Sequence, residues 1–319
     1  MIKVEKITKK FDDLVAISNI SFSVNEGESF GFLGPNGAGK TTMIRILTTL
    51  ITPTTGKAYV AGYDVVKDAH NVRKNIGIIF QEPSLDERLT ARDNLYFHAA
   101  LYRVPYREIN ARIDKALAMV ELTRFKDKVV KTFSGGMKRR LEIARGFMHL
   151  PRILFLDEPT LGLDPQTRRA IWEYIRQLKK DFGITLFITT HYMEEAESFE
   201  KVGIIHKGKI LSVDSPDAMK QRIKGDTIIL SGRDGNEERI RSLGFMPKRE
   251  GEKLVLSIER SEDVLPLFLS HSVLLDGMTI RKPSLEDVFI SLTGSHIEDE
   301  EGNPMELIKK VKQIRRARK

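Results

Sequence analysis

Between the short apolar run Ser29 to Leu33 and a stretch with helical periodicity lies Gly34-Pro-Asn-Gly-Ala-Gly39-Lys40-Thr41, which fits G-x-x-x-x-G-K-[ST]. No other feature restricts the fold as much. The glycines let the backbone curl so that its N–H groups and the start of the following helix surround an anion. A strand must deliver the chain to that loop and a helix must carry it away, which requires an α/β layer with the loop at the carboxyl end of a strand. Lys40 is expected to reach the β and γ phosphates of a nucleotide, and Thr41 to ligate Mg²⁺.

The rest of the 319-residue chain agrees with such a layer. Ile76 to Phe80, Ile153 to Leu156, Ile184 to Thr189 and Val202 to His206 read as buried strands, being short, apolar and bounded by Gly, Pro or charge. Their continuous hydrophobicity predicts a mainly parallel sheet. From Pro83 to Leu150 the pattern is helical instead, over Asp93 to Arg103, Glu108 to Leu122 and Gly135 to Leu150, where Met137, Leu141, Ala144 and Met148 share a face. A helical subdomain (83–150) is therefore expected between two core strands. Asp164 and Pro165 form a cap and first turn for a helix whose stripe is Ile171, Tyr174, Ile175 and Leu178. Lys207-Gly208-Lys209 reads as a turn between two strands. The expected division is a core of 1–224, a small α+β domain of 225–294 and a charged tail of 295–319.

Several function classes are excluded or demoted. The chain has no cysteine, hence no disulfide or thiolate chemistry, and its first residues lack the apolar core of a secretory signal, both of which point to the cytosol. No apolar run reaches the roughly 18 to 20 residues that span a bilayer. The net charge of +8 is concentrated at the end, where Met305 to Lys319 hold seven Lys/Arg against Glu306, so a broad nucleic-acid face is not expected. Leu307, Ile308, Val311 and Ile314 form an apolar stripe in this basic tail, which suits contact with anionic lipid.

A second acidic signal is Ile153-Leu-Phe-Leu-Asp157-Glu158. Successive strand residues point to opposite sides, so the two carboxylates are expected to take separate roles: Asp157 on Mg²⁺ through water, Glu158 as general base towards an attacking water. Ser134-Gly135-Gly136 places a hydroxyl and two unhindered amides at a helix start, a second anion site roughly a hundred residues from Lys40.

The order of Gly34 to Thr41, Gln81, Ser134-Gly135-Gly136, Leu156-Asp157-Glu158-Pro159, Leu163-Asp164 and His191 resembles the nucleotide-binding subunit of ATP-binding cassette (ABC) transporters, over about residues 1 to 220. Within that superfamily FSGGMKRRLEIAR, LDEPTLGLDPQTRRAIWEYI and PSLEDVF (283–289) look like the drug-export group related to daunorubicin-resistance ATPases. The resemblance implies a P-loop NTPase core with antiparallel β and α-helical subdomains. It implies ATP held by Phe11 against adenine and by Gly34, Pro35, Asn36, Gly37, Ala38, Gly39, Lys40, Thr41 and Thr42. Catalysis would fall to Glu158, His191 and Gln81, and the metal, Mg²⁺, to Thr41, Gln81 and Asp157. Ser134, Gly135 and Gly136 would meet the γ-phosphate held by a second subunit, in a head-to-tail homodimer or heterodimer, with Asp164 in the intervening loop. A separate ABC-2-type permease, docked near Glu82 to Arg103, would hold the ATPase at the cytoplasmic face of the cell membrane. Phe133 and Met137 stand where Leu and Gln are usual, and Leu161-Gly-Leu163 departs from the usual loop before Asp164. Met cannot supply an amide's hydrogen bonds, so ribose or interface contacts there would change. A cassette ATPase working on ribosomes, DNA or protein complexes is the alternative, disfavoured by one cassette and no heptads. A P-loop kinase or switch GTPase would leave Ser134-Gly135-Gly136 and His191 without a role.

Overall fold

The computed structural model describes residues 1–294 except 83, 224, 232–234, 259–260, 272 and 274–276; the basic tail and its proposed lipid contact lie outside the described residues. Among the described residues the chain divides into two compact units, Met1–Asp214 and 215–294.

In the first unit β1 (Ile2–Phe11) and β2 (Leu14–Val24) form a hairpin, β3 (Ser29–Leu33) enters the core, and α1 (Lys40–Leu47) leaves it; β4 (Thr55–Val60), β5 (Tyr63–Asp64) and α2 (Ala69–Asn75) then lead to β6 (Ile76–Ile79). The helices α3 (Ala91–Leu101), α4 (Tyr106–Met119) and α5 (Gly135–Phe147) follow before β7 (Ile153–Asp157), α6 (Pro165–Phe182), β8 (Thr185–Thr190), α7 (Met193–Ala196), β9 (Lys201–His206) and β10 (Lys209–Asp214). Two sheets result: an antiparallel one ordered β2-β1-β4-β5, and a six-stranded one ordered β10-β9-β3-β8-β7-β6 that is parallel from β9 to β6.

The two sheets and α1 enclose one core. Phe22 of the antiparallel sheet stacks on Phe30 at 5.0 Å between ring centroids, and Phe32, Phe155 and Phe187 extend the cluster. Aromatic payloads of this size explain why short strands suffice to anchor the layer. The helical subdomain has its own core of Leu95, Ile109, Ile113, Leu117, Leu141 and Met148. Helix α6 begins as its sequence requires, with the Asp164 carboxylate accepting from Thr167 N at 3.0 Å and Pro165 in the first turn. Its buried stripe takes in Trp172 beside Ile171, Ile175 and Leu178, whereas Tyr174 is half-buried, within 3.4 Å of an Arg140 nitrogen. The Lys207-Gly208 turn joins β9 and β10 with both residues at positive φ, the geometry that a two-residue hairpin demands.

The second unit comprises α8 (Pro216–Arg222), β11 (Asp226–Ser231), α9 (Asn236–Ser242), β12 (Lys248–Glu250), β13 (Lys253–Ile258), α10 (Ser261–Ser270), β14 (Thr279–Arg281) and α11 (Leu285–Thr293). Its sheet is antiparallel in the order β12-β13-β11-β14, a split β-α-β-β-α-β arrangement over Ile228, Leu230, Leu254, Leu256 and Phe268. The break at Asp214 falls before the expected Lys224-Gly225 because α8 packs against α11 and so joins the second unit. Among the described residues no helix is long and apolar enough to cross a membrane.

Candidate functional site

The phosphate loop leaves β3 at the carboxyl end of the parallel sheet. Gly34 N donates to Thr190 O (3.3 Å), and a β-carbon on Gly34 would stand 2.2 Å from the carbonyl of Ile205, so the loop can lie this close to β9 only with glycine. Gly39 has φ 108° and precedes α1 without a side chain to cap it, leaving the first-turn N–H groups directed out of the helix. The turn at Gly208 buttresses the loop, its N–H donating to Ala38 O at 3.1 Å.

Lys40 is buried, and its ammonium donates to Gly34 O at 2.7 Å and Pro35 O at 3.1 Å while pairing with Glu158 Oε1 at 3.0 Å. The other Glu158 oxygen lies 3.1 Å from His191 Nδ1. Burial pushes the Glu158 carboxyl up, but the hydrogen bond from His191 and the Lys40 charge outweigh it and hold the group below the usual carboxylate range. Glu158 is therefore ionised at neutral pH, with one oxygen on Lys40 and the other on His191. Asp157 faces different partners: its Oδ1 accepts from Thr189 Oγ1 at 2.5 Å and from Thr41 Oγ1 at 3.3 Å. Burial pushes its pKa up despite both hydroxyls. The two carboxylates thus face different partners, and strand alternation is not the cause, because Glu158 has already left the strand with φ 46°.

Lys40, Thr41 and Glu158 line a cleft of about 580 Å³ that also takes in Phe11, Asn36, Gly37, Gly39, Thr42 and Gln81; Asp157 and His191 stand behind it, in contact with Thr41 and Glu158. Phe11 ends β1 with 43% of its surface exposed and Lys9 Nζ 4.8 Å from its ring centroid. Such an exposed ring at a cleft mouth offers a face to a base. Ser134, Gly135 and Gly136 do not line this cleft. Ser134 caps α5, accepting from Met137 N at 3.3 Å, and Ser134 and Gly135 are exposed. A β-carbon on Gly136 would fall 2.7 Å from Thr167 Cγ2, placing the start of α5 beside the first turn of α6 that Asp164 caps.

Three groups of side chains escaped the sequence reading. Thr189 ties the two acidic residues together, since its hydroxyl donates to Asp157 while accepting from Glu158 N at 3.1 Å. Glu195 accepts from Thr160 Oγ1 (2.5 Å) and Thr190 Oγ1 (2.7 Å), linking the segment after Glu158 to the one before His191. Arg139 and Glu142, buried on α5, form an ion pair at 3.0 Å beside the end of β7. Their one legible signal was a pair of opposite charges three residues apart on a helix that is otherwise partly apolar.

Known proteins agree with this geometry. Residues 17–161 match the family model described as ABC transporter. The chain is 39% identical over 313 residues to the linearmycin resistance ATP-binding protein of Bacillus subtilis, covering 94% of this chain and 100% of that one. It is 34% identical to a daunorubicin resistance ATP-binding protein of Streptomyces coeruleorubidus, with coverage of 94% and 97%. Among solved structures, a dimeric ATP-binding cassette in a post-hydrolysis state with ADP and phosphate superposes with a TM-score of 0.62 at 29% identity, over 67% of this chain and 98% of that one. A Clostridium perfringens protein that is part of an ABC transporter complex gives 0.63 at 29%, over 67% and 88%. The cleft, its paired acids and these likenesses make the chain a member of the ABC transporter family, one of its ATP-hydrolysing nucleotide-binding subunits.

Proposed function

We propose that this subunit powers export of a drug-like or lipophilic compound through a separate ABC-2-type permease, with Glu158 as the general base of ATP hydrolysis. The observation that carries the reading is the convergence of Lys40, His191 and Thr41 on the two acids at one cleft. Lys40 exchanges its bond to Glu158 for the β and γ phosphates when ATP binds. Glu158 then accepts a proton from the attacking water, and His191 fixes the orientation of that carboxylate. The adenine stacks on Phe11, and the backbone from Gly34 to Thr42 takes the phosphate oxygens.

The donor set suits Mg²⁺: the Thr41 hydroxyl and the Asp157 carboxylate lie 3.3 Å apart and Gln81 lines the same cleft, all oxygen donors of the kind this ion shares with water and phosphate. When bound, the ion neutralises charge on the β and γ phosphates. Because Ser134, Gly135 and Gly136 stand outside their own cleft, they serve the nucleotide of a second subunit in a head-to-tail pair, a homodimer in the simplest case. Asp164, at the head of α6 beside them, lies in the loop that such pairing brings to the interface. The permease docks on the helical subdomain near Glu82 to Arg103, where Phe97 and Leu101 are 68% and 67% exposed, and holds the ATPase at the cytoplasmic face of the membrane. The drug-resistance relatives support the export direction.

The test uses Glu158→Gln. The variant is expected to bind ATP with unchanged affinity, to lose most turnover, and to carry a multi-span permease through detergent affinity purification from its own cells. Wild-type turnover would remove Glu158 as the base. Recovery of ribosomal or DNA-maintenance proteins in place of a membrane protein would overturn export while leaving the ATPase intact.

A further inference from the structure

Glu158 occupies a costly backbone position. Its φ of 46° places a residue with a β-carbon in the left-handed region, a strained conformation that persists only where surrounding contacts enforce it. One contact comes from below, as Glu158 N donates to Thr189 O at 3.2 Å. The Thr189 hydroxyl accepts from the same N–H at 3.1 Å, Leu161 N donates to Glu158 O at 3.2 Å, and a single guanidinium adds three more bonds to this turn. Arg139 Nη2 donates to the carbonyls of Asp157 (3.3 Å) and Glu158 (3.2 Å), and Nε donates to that of Pro159 at 2.6 Å. Three consecutive carbonyls of the turn that aims Glu158 therefore converge on one side chain.

The same guanidinium reaches a second strand end. Arg139 Nη1 donates to Phe80 O at 2.5 Å, immediately before Gln81, and to Glu142 Oε2 at 3.0 Å. Glu142 Oε1 in turn accepts from Ser84 N at 2.7 Å, so the segment after Gln81 is held from the same helix. Both side chains are buried, at 7% and 1% exposure. Two apolar residues could fill this volume with no desolvation cost, so the buried pair is not explained by stability. What an apolar pair lacks is a planar fork with five N–H donors. Arg139 lies on α5, whose first residues are Gly135 and Gly136.

We propose that Arg139, held in place by Glu142, is a positioning residue for ATP hydrolysis: its guanidinium fixes the backbone of Glu158 and of Phe80-Gln81 to α5. The water-activating carboxylate and Gln81 are then aligned together, and only while the helix behind Ser134-Gly135-Gly136 is seated. The nucleotide cradle from Gly34 to Thr42 makes none of these bonds, so nucleotide affinity is independent of them. The inference rests on the ATPase reading above.

The experiment measures kcat, KM for ATP and Tm on the purified full-length chain carrying Arg139→Met, Arg139→Met with Glu142→Gln, or Arg139→Lys. Arg139→Met leaves the buried Glu142 carboxylate without its cation and lowers Tm. Adding Glu142→Gln removes that charge, keeps an acceptor for Ser84 N, and restores Tm. Turnover is expected to stay down roughly 10- to 100-fold in both, the scale of a misplaced catalytic group, with KM within about twofold of wild type. Arg139→Lys keeps the charge beside Glu142 but not the fork, and falls between. A kcat that recovers together with Tm in the double variant, a KM that rises in step with the loss of kcat, or wild-type turnover in Arg139→Lys would each overturn the proposal. Absence of Glu158-dependent hydrolysis in the wild-type chain would instead overturn the ATPase reading, so the two failures are distinguishable.

Discussion

Replacing Thr189 with valine keeps the shape of a fully buried side chain and removes one hydroxyl that serves both acidic residues. The larger loss is the 2.5 Å bond to Asp157, since a hydrogen bond to a charged group contributes about 1.5–3 kcal/mol. Thr41 compensates weakly at 3.3 Å, and Glu158 N keeps a bond to Thr189 O. The expected destabilisation is therefore about 2 kcal/mol, or a Tm lower by about 4–8 °C for a unit of this size. The assay is urea unfolding followed by fluorescence of Trp172, the single tryptophan, which sits on α6 with its ring 5.5 Å from that of Phe199 and reports on the first unit alone. The pH dependence has a definite sign. Burial already raises the Asp157 pKa against the pull of Thr189, so its contribution is fully present below the unfolded pKa and is lost as pH rises through the folded one. Thr189→Val raises that pKa further, and the gap from wild type must widen with rising pH and narrow on acidification. A destabilisation under about 0.5 kcal/mol at neutral pH, or a gap that widens in acid, would refute the reasoning.

Gly77→Ala would bring a β-carbon within 2.3 Å of Gly146 O, where β6 meets α5, and overpacking of this kind costs about 1–3 kcal/mol; a wild-type Tm would show that the two elements separate easily. Phe11→Ala should weaken ATP binding by roughly 5- to 150-fold, the equivalent of about 1–3 kcal/mol of base stacking, and an unchanged Kd in a titration would show that adenine lies elsewhere.

The parts of the site that the sequence discloses are those whose chemistry is contiguous. Gly34 to Thr42 is a loop, a helix start and the cleft-lining side chains Lys40, Thr41 and Thr42 in nine residues, and Asp164-Pro165 states its own helix start. What stays hidden depends on pairing between distant strands or on groups with no side-chain identity. Thr189 meets Asp157 because β7 and β8 run parallel with those residues in register, and no local pattern encodes a register between strands 32 residues apart. Arg139 is harder still, because four of its five partners are carbonyls, which every residue possesses. The unit boundary illustrates a different limit. Ser215-Pro216 marks a helix start in the sequence, and Ser215 Oγ accepts from Ala218 N at 3.2 Å, but which unit that helix joins is decided by α11, some seventy residues later. Trp172 displaces Tyr174 in the α6 stripe for a similar reason, as its ring packs on Phe199 beyond β8.

The strand order of the six-stranded sheet also sets a timetable for synthesis. β3, which delivers the phosphate loop, is flanked by β8 and β9, so its hydrogen-bonding edges find no partners until Thr185 to Ile204 has been made. At about 5–20 residues per second, the stretch Ser29–Leu33 waits roughly 10–30 s on the ribosome as an unpaired apolar segment with two phenylalanines. During that interval the chain can neither bind nucleotide nor hide this segment inside its own sheet. Ribosome-bound chains halted before β8 should therefore recruit chaperones through Phe30 and Phe32, and release them once β9 has emerged from the exit tunnel.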